Sequence, residues 1–381
     1  MKKHVFIHTI ALFTCVGCQH TTVQPQAEVI EIKLDDATAT TSDVFTGITP
    51  IALETTDSSL IGALASVKLS PEYIFVQTDN TIKQFDRNGR FIKNIGRKGQ
   101  AGDEYSGITD FCINSKHKEI QILDRKQKKI LTYDYDGNYQ ESTPIDCWAL
   151  QLYKPDTETI ITYSGNERDT RNAYKFNVYS ATTNNSFYPI DAQRSKYLNI
   201  LSPRNFYTLK DDNTIFFEAF NDTIYTLDKS HVEPKYILSY GGKNTPPSFF
   251  TEKNYENIMD FFQAFNSRDY VNSTHDVAEG NRKLLFSCYY GGAKYFNIYD
   301  KPTHTAQSYQ SLEENLLMRN APLVIGDEEF VLWGSDGEVA FWVQPSWLLE
   351  HKDRIRSEEL QTLVGALKED DNPILFVGSI L

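Results

Sequence analysis

Gln84-Phe85-Asp86-Arg87-Asn88-Gly89-Arg90-Phe91 and Thr132-Tyr133-Asp134-Tyr135-Asp136-Gly137-Asn138-Tyr139 are two copies of one phrase, and Phe85 and Tyr133 are 48 residues apart. Each copy runs aromatic, aspartate, a pair ending in glycine, aromatic. Asn-Gly and Asp-Gly are favoured by two-residue hairpin turns, whose central positions both take positive φ. Each phrase therefore predicts a tight hairpin. An apolar run precedes each one, Tyr73-Ile74-Phe75-Val76 and Ile120-Gln121-Ile122-Leu123, and Ile74 and Ile122 keep the 48-residue offset. A period in the forties, built from short strands and tight turns, predicts a β-propeller with four strands per blade.

Weaker copies follow along the chain. They are Phe176-Asn177-Val178-Tyr179, Thr223-Ile224-Tyr225-Thr226-Leu227-Asp228, Tyr295-Phe296-Asn297-Ile298-Tyr299-Asp300 and Val339-Ala340-Phe341-Trp342-Val343. Six phrases predict an all-β, six-bladed β-propeller over residues 28–381; a β-sandwich with fortuitous spacing is the alternative. Leu227 and Tyr299 are 72 residues apart, and the excess holds Tyr255, Ile258, Met259, Phe261 and Phe262 at helical spacing. This predicts an inserted helix over about 251–265. Trp347, Leu348, Leu349, Ile355, Leu360, Leu363 and Leu367 predict a helical segment over about 347–368. A single blade cannot bury its faces, so the ring must close. Val29–Leu34 and Ile374–Val377 are the strands expected to join the chain ends in one blade.

The amino terminus carries a different signal. Lys2 and Lys3 precede a mostly apolar stretch from Val5 to Val16, and Gly17 precedes Cys18. This is the shape of a secretory leader, too short to span a bilayer as a helix. A small residue before a cysteine resembles a lipobox, with Cys15 where such boxes usually carry Leu. Residues 1–17 are expected to be removed and Cys18 lipidated. Stable anchoring needs more than one acyl chain, which the bacterial lipoprotein modification supplies. Residues 18–27 read as a polar tether. Gln19 follows the cysteine instead of Asp, and no acidic run follows, so an outer-membrane lipoprotein facing the periplasm is expected, with cell-surface display as the alternative.

Composition limits the partners. Formal charge is −13, and removal of Lys2 and Lys3 lowers it by two more. Such a chain repels phosphate backbones, which excludes nucleic acid, and it does not lie flat on an anionic membrane. The membrane is a partner only through the lipid anchor, and the domain is expected to be monomeric. Cys112, Cys147 and Cys288 remain after the leader, without zinc spacing. They read as buried thiols, with one disulfide plus one free thiol as the alternative.

The run Gly96-Arg97-Lys98-Gly99-Gln100-Ala101-Gly102-Asp103-Glu104-Tyr105, after a Phe-Asp-x-Asn-Gly hairpin, resembles the Gly-rich link of NHL-like propellers. Together with the lipobox, Asn221-Asp222-Thr223-Ile224-Tyr225 and Asp371-Asn372-Pro373-Ile374-Leu375, it is similar to the 6-bladed β-propeller lipoproteins of Bacteroidota-type bacteria. Ala101 departs from the Pro often found there. The resemblance covers about residues 28–381 and implies a propeller at the cell envelope. It implies no enzymatic activity and transfers no catalytic residue.

Chemical motifs are few. Gly96–Gly102 lacks the Lys-Ser or Lys-Thr of a phosphate loop and runs into Asp103 and Glu104. It reads as a blade-to-blade link that reaches the ring's mouth, making Arg97, Lys98 and Tyr105 candidate ligand contacts. The Asp86 and Asp134 turns lack the later acidic ligands of an EF-hand. Ser335-Asp336-Gly337 is not a sialidase box, and no nucleophile elbow or His-Glu-x-x-His is present. Tyr289 and Tyr290 beside Gly291-Gly292, and Trp333 beside Gly334, are candidate stacking residues. No cofactor, metal ligand or catalytic residue is assigned. The expectation is a binding or assembly module for a peptide, glycan or envelope protein; the alternative is a lactonase-like or glycan-active propeller hydrolase or lyase acting at the channel mouth.

Overall fold

The computed structural model describes residues 27–381, apart from 168–172, 182–183, 194–195, 199–203, 210–212, 324–331 and 336. The described strands form six sheets, the blades of a six-bladed β-propeller. Blade 1 is Leu64–Leu69, Tyr73–Thr78, Thr81–Asp86 and Phe91–Ile95; blade 2 is Asp110–Asn114, Glu119–Asp124, Lys129–Asp134 and Tyr139–Pro144. Blade 3 is Gln151–Tyr153, Ile160–Tyr163, Tyr174–Tyr179 and Asn184–Pro189; blade 4 is Phe206–Thr208, Thr214–Phe216, Thr223–Leu227 and Val232–Ser239. Blade 5 is Asn272–Glu279, Lys283–Tyr290, Ala293–Asp300 and Thr305–Glu314. Blade 6 is Trp333–Ser335, Glu338–Val343, Ile374–Ile380 and, outermost, Phe45–Ala52.

Period-2 alternation feeds the core on both sides of each blade. In Tyr73–Thr78, Ile74 and Val76 pack with Trp342 and Leu375 of blade 6, whereas Phe75 packs with Phe111 and Ile122 of blade 2. Leu123 and Ile130 meet Leu152 and Ile160 across the next interface. Ile161 and Phe176 meet Phe216 and Leu227 across the one after. Ile215, Phe286 and Phe341 belong to one larger core shared by blades 4, 5 and 6. Each such side chain, fully buried, stabilises by about 1.5–3 kcal/mol.

The repeated phrases are hairpins, one residue longer than expected. Asp86 N–H donates to the Arg90 carbonyl at 2.9 Å and Gly89 N–H to the Asp86 carbonyl at 3.0 Å. Only Gly89 has positive φ, at +83°; Asn88 does not. The second phrase repeats this, with Gly137 at +79°. Both are three-residue loops with glycine in the left-handed position. The aspartate explains the choice. Asp86 Oδ1 accepts from the N–H groups of Asn88 and Arg90 at 3.0 and 2.9 Å, which tethers the longer loop. The flanking aromatics then pair across strands three and four, Phe85 with Phe91 at 5.6 Å and Tyr133 with Tyr139 at 6.0 Å between ring centres.

Closure differs from the expectation. The strand that pairs with Ile374–Ile380 is Phe45–Ala52, in register Ala52↔Ile374 and Thr49↔Val377. Glu28–Glu31 instead runs parallel to Val232–Ser239 along the rim of blade 4, and Ala37–Thr40 runs parallel to Thr305–Glu314 along the rim of blade 5. The two segments differ in burial. Phe45, Ile48 and Ile51 all enter the core, whereas in Glu28–Glu31 Ile30 alone is buried and Val29 is exposed. The amino-terminal segment thus covers the edges of two blades and completes a third. Covered edges offer no template for strand addition.

The sixth phrase lies on the second strand of its blade rather than the third, and a helical insertion separates Glu338–Val343 from Ile374–Ile380. That insertion is two helices, α2 (Pro345–Glu350) and α3 (Glu358–Ala366). Ser357 accepts from Leu360 N–H and starts α3 afresh. Leu348, Ile355 and Leu360 bury against the blade 4–6 core. The earlier insertion is shorter than its apolar spacing. Pro247–Phe250 makes a single 3-10 turn, and α1 spans Ile258–Asn266, capped by Asn257, whose side chain accepts from Asp260 N–H at 3.0 Å. Phe261 and Phe265 pack with Tyr197, Phe220 and Phe249, leaving Ile258 and Met259 exposed. No helix among the described residues is long and apolar enough to cross a membrane.

Candidate functional site

First strands line the channel. Those of blades 1, 2, 3, 4 and 6, with the loops that leave them, surround a recess of about 340 Å³. Lys68, Asp110, Cys112, Gln151, Lys154, Arg204 and Ser335 contribute to its wall. Asp110 Oδ2 accepts from Leu152 N–H at 2.9 Å. Desolvation raises its carboxyl above the usual range, and Lys68 opposes that rise. Lys154, almost wholly buried, meets Glu119 at 2.7 Å. Burial pushes the Cys112 thiol up to about 12, so it stays protonated. The buried Arg204 guanidinium donates from Nη2 to the Val277 carbonyl at 2.7 Å and lies over Tyr207 and Phe217, 5.3 and 5.8 Å from their ring centres. Among the described residues its Nε and Nη1 have no acceptor. Desolvation lowers this guanidinium to about 10 and nearby Asp276 opposes that, so it remains a cation at neutral pH.

A second recess, of about 210 Å³, opens on the other face, where second strands end. Arg125 stacks on the half-exposed Trp148 at 4.4 Å from the ring centre. Glu218 accepts from Tyr163 Oη at 2.6 Å and from Lys175 Nζ at 2.6 and 2.7 Å. Burial and the Glu218 charge keep the Tyr163 hydroxyl protonated. Asn205 separates the recesses: it lines the second, and its N–H donates to Gln151, which lines the first, at 3.2 Å.

The sequence-picked residues lie elsewhere. Arg97 is exposed and bound within its own link, 2.6 Å from Glu104 and 3.7 Å from Asp103. Lys98 is exposed, its main chain bridged to Tyr105. Tyr105 is core, 1% exposed, with its ring among Phe75, Ile95 and Tyr133. The link folds onto itself and lines neither recess. Tyr289 is exposed and stands edge-on to His275 at 5.1 Å. Tyr290 bonds Asp269 and Lys243. Trp333 begins the first strand of blade 6, whose Gly334 and Ser335 line the channel; its side chain, like Cys18, lies outside the described residues. Among the described residues no three His, Cys, Asp or Glu side chains stand close enough to hold a metal ion. Cys112, Cys147 and Cys288 are free thiols. Lys68, Asp110 and Arg204 were missed. Their only signal was a charge on, or next to, the short strand that precedes each apolar run, a position facing the axis once the blade repeat is known.

Comparison with known proteins fits this architecture. A crystal structure of a protein described as exported, from Bacteroides fragilis NCTC 9343, superposes with a TM-score of 0.73 at 18% identity, over 93% of this chain and 99% of that one. At that identity the likeness shows the fold alone. A member of the DUF4221 family from Bacteroides vulgatus ATCC 8482 aligns with a TM-score of 0.49 at 10% identity, over 89% of this chain and 97% of that one. No curated protein matches. The family model described as domain of unknown function DUF4934 matches residues 27–379, from the first rim strand to the last strand of blade 6, and the chain belongs to that family.

Proposed function

We propose that this protein is an exported binding module, held at the cell envelope through Cys18, whose ring takes a ligand in the channel recess. Convergence carries the reading: strands of five blades aim polar and charged side chains at one cavity of about 340 Å³. Small-molecule sites span roughly 300–1,000 Å³ and carry a few placed polar groups. Desolvated charge is costly unless it is used, and apolar side chains would close a ring without that cost. The exported neighbour of the same fold supports a place outside the cytoplasm, and the leader ending at Cys18 supports the tether.

Ser335 lines the recess from blade 6, so Ser335→Trp should fill it. Saturation-transfer NMR with mixed neutral and charged fragments should give hits on the native protein and lose them in the variant, at unchanged thermal stability. Hits that persist would move the site elsewhere, and a complete lack of hits would remove the reading. For the tether, the intact mass of membrane-purified protein should include acyl chains that Cys18→Ala lacks; an unchanged lipid mass would assign the anchor to another residue.

A further inference from the structure

The channel recess has a charge opposite to that of the chain. The protein carries 51 acidic and 38 basic side chains. The recess is lined by four cations, Lys68, Lys116, Lys154 and Arg204, against two carboxylates, Asp110 and Asp156. Neither carboxylate is ion-paired with a lining cation among the described residues. Asp156 is ion-paired with Lys229 in the last turn of blade 4, and Asp110 accepts from Leu152 N–H and acts on Lys68 only from beyond ion-pair distance. Lys154 is matched by Glu119.

Lys116 is exposed to solvent at the turn that follows the first strand of blade 2, which leaves Lys68 and Arg204 as the cations held within the wall. Lys68 is half-buried on the first strand of blade 1 and forms no ion pair among the described residues; its ammonium lies 5.8 Å from the Phe111 ring centre. Arg204 enters the recess beside the first strand of blade 4. Among the described residues it too has no ion-pair partner, and two of its nitrogens have no acceptor there. A buried guanidinium is ordinarily matched by a carboxylate or phosphate, whose planar oxygens fit its fork. Here the protein supplies one carbonyl and two aromatic faces, and the nearby Asp276 carboxylate, which acts on the guanidinium from a distance, is ion-paired with Lys294 at 2.8 Å. In a ring of six, blades 1 and 4 are separated by two blades on either side, so the two cations approach the axis from opposite walls.

We infer that the recess binds a small organic dicarboxylate, one carboxylate on Arg204 and the other on Lys68. The inference rests on the channel being the binding site, as proposed above, and names the class of ligand. A diacid supplies one carboxylate for each cation, whereas a neutral molecule leaves both unanswered. The ligand's two charges would offset the excess lining charge, so binding should weaken as salt rises.

Isothermal titration calorimetry of the full-length protein at fixed ionic strength, with succinate, glutarate, succinamide and inorganic phosphate, tests this. A diacid should bind saturably, while succinamide and phosphate should bind at least tenfold more weakly. Lys68→Gln should weaken the diacid at least tenfold without lowering the melting temperature. Arg204→Lys, which keeps the charge and loses the fork, should weaken it as well. Equal affinity for succinamide or phosphate, or an unchanged Lys68→Gln, would overturn the inference. If no diacid binds while neutral fragments still occupy the recess, the ligand class fails and the site stands. If neither binds, both fail.

Discussion

Gly89 and Gly137 hold the same place in successive blades under different demands. Both have φ near +80°, which strains any residue with a Cβ. A Cβ on Gly89 would also fall 1.9 Å from the Ala52 carbonyl oxygen of the closing strand, whereas one on Gly137 would stand 3.7 Å from its nearest neighbour. Gly137→Ala should therefore cost about 1–2 kcal/mol, the left-handed penalty alone. Gly89→Ala should cost more, because the closing strand must shift. Urea denaturation of the two variants checks the order. The Lys175–Glu218 pair is buried on both sides. Lys175→Met should destabilise by about 3–5 kcal/mol by leaving a buried carboxylate without its cation, and Lys175→Met with Glu218→Leu should recover part of the loss. His275 sets a pH dependence. Desolvation lowers its folded value from 6.5 to about 4, against the pull of Asp276. Between those limits the unfolded chain binds a proton that the folded ring refuses, so His275's contribution to stability falls as pH drops from 6.5 to 4. His275→Gln should flatten that limb of the acid-denaturation curve.

The amino-terminal strap shows which elements can be read locally. Residues 28–40 add strands to the rims of blades 4 and 5. Their removal leaves two edges open, so a variant lacking them should self-associate in size-exclusion chromatography while keeping its β-sheet circular dichroism. A monomeric deletion variant would show that the rims need no cover. The hairpins were legible because aspartate, glycine and two aromatics act within eight residues, although the loop length followed from an Asp86 contact that the glycine pair alone does not encode. The closing strand was not legible. Val29–Leu34 alternates cleanly, whereas Phe45–Ala52 carries its buried residues at 45, 48, 50 and 51 and contains Gly47 and Pro50, so the local pattern favours the wrong segment; the partner at the far end of the chain decides the pairing. Apolar spacing likewise located both helical insertions, while the caps at Asn257 and Ser357 decided where the helices begin.

At the scale of the molecule, one antiparallel pair joins the two ends of the chain. Thr49→Cys with Val377→Cys, in register across that pair, should form a disulfide on oxidation and stabilise the ring by about 2–4 kcal/mol. Failure to cross-link, with both thiols accessible to alkylation, would contradict the closure. The ring also explains why the channel residues escaped a reading by motif. Lys68 and Arg204 are single charges, far apart in sequence, and a charge in a short strand reads as a solvated face until six blades turn it toward one axis. That convergence is the central claim, and a crystal structure of the protein purified from its own envelope without denaturation tests it most directly. The account predicts density for a bound small molecule in the channel recess, in contact with the Arg204 guanidinium. A recess holding only water, with the Arg204 nitrogens satisfied by protein acceptors, would contradict it.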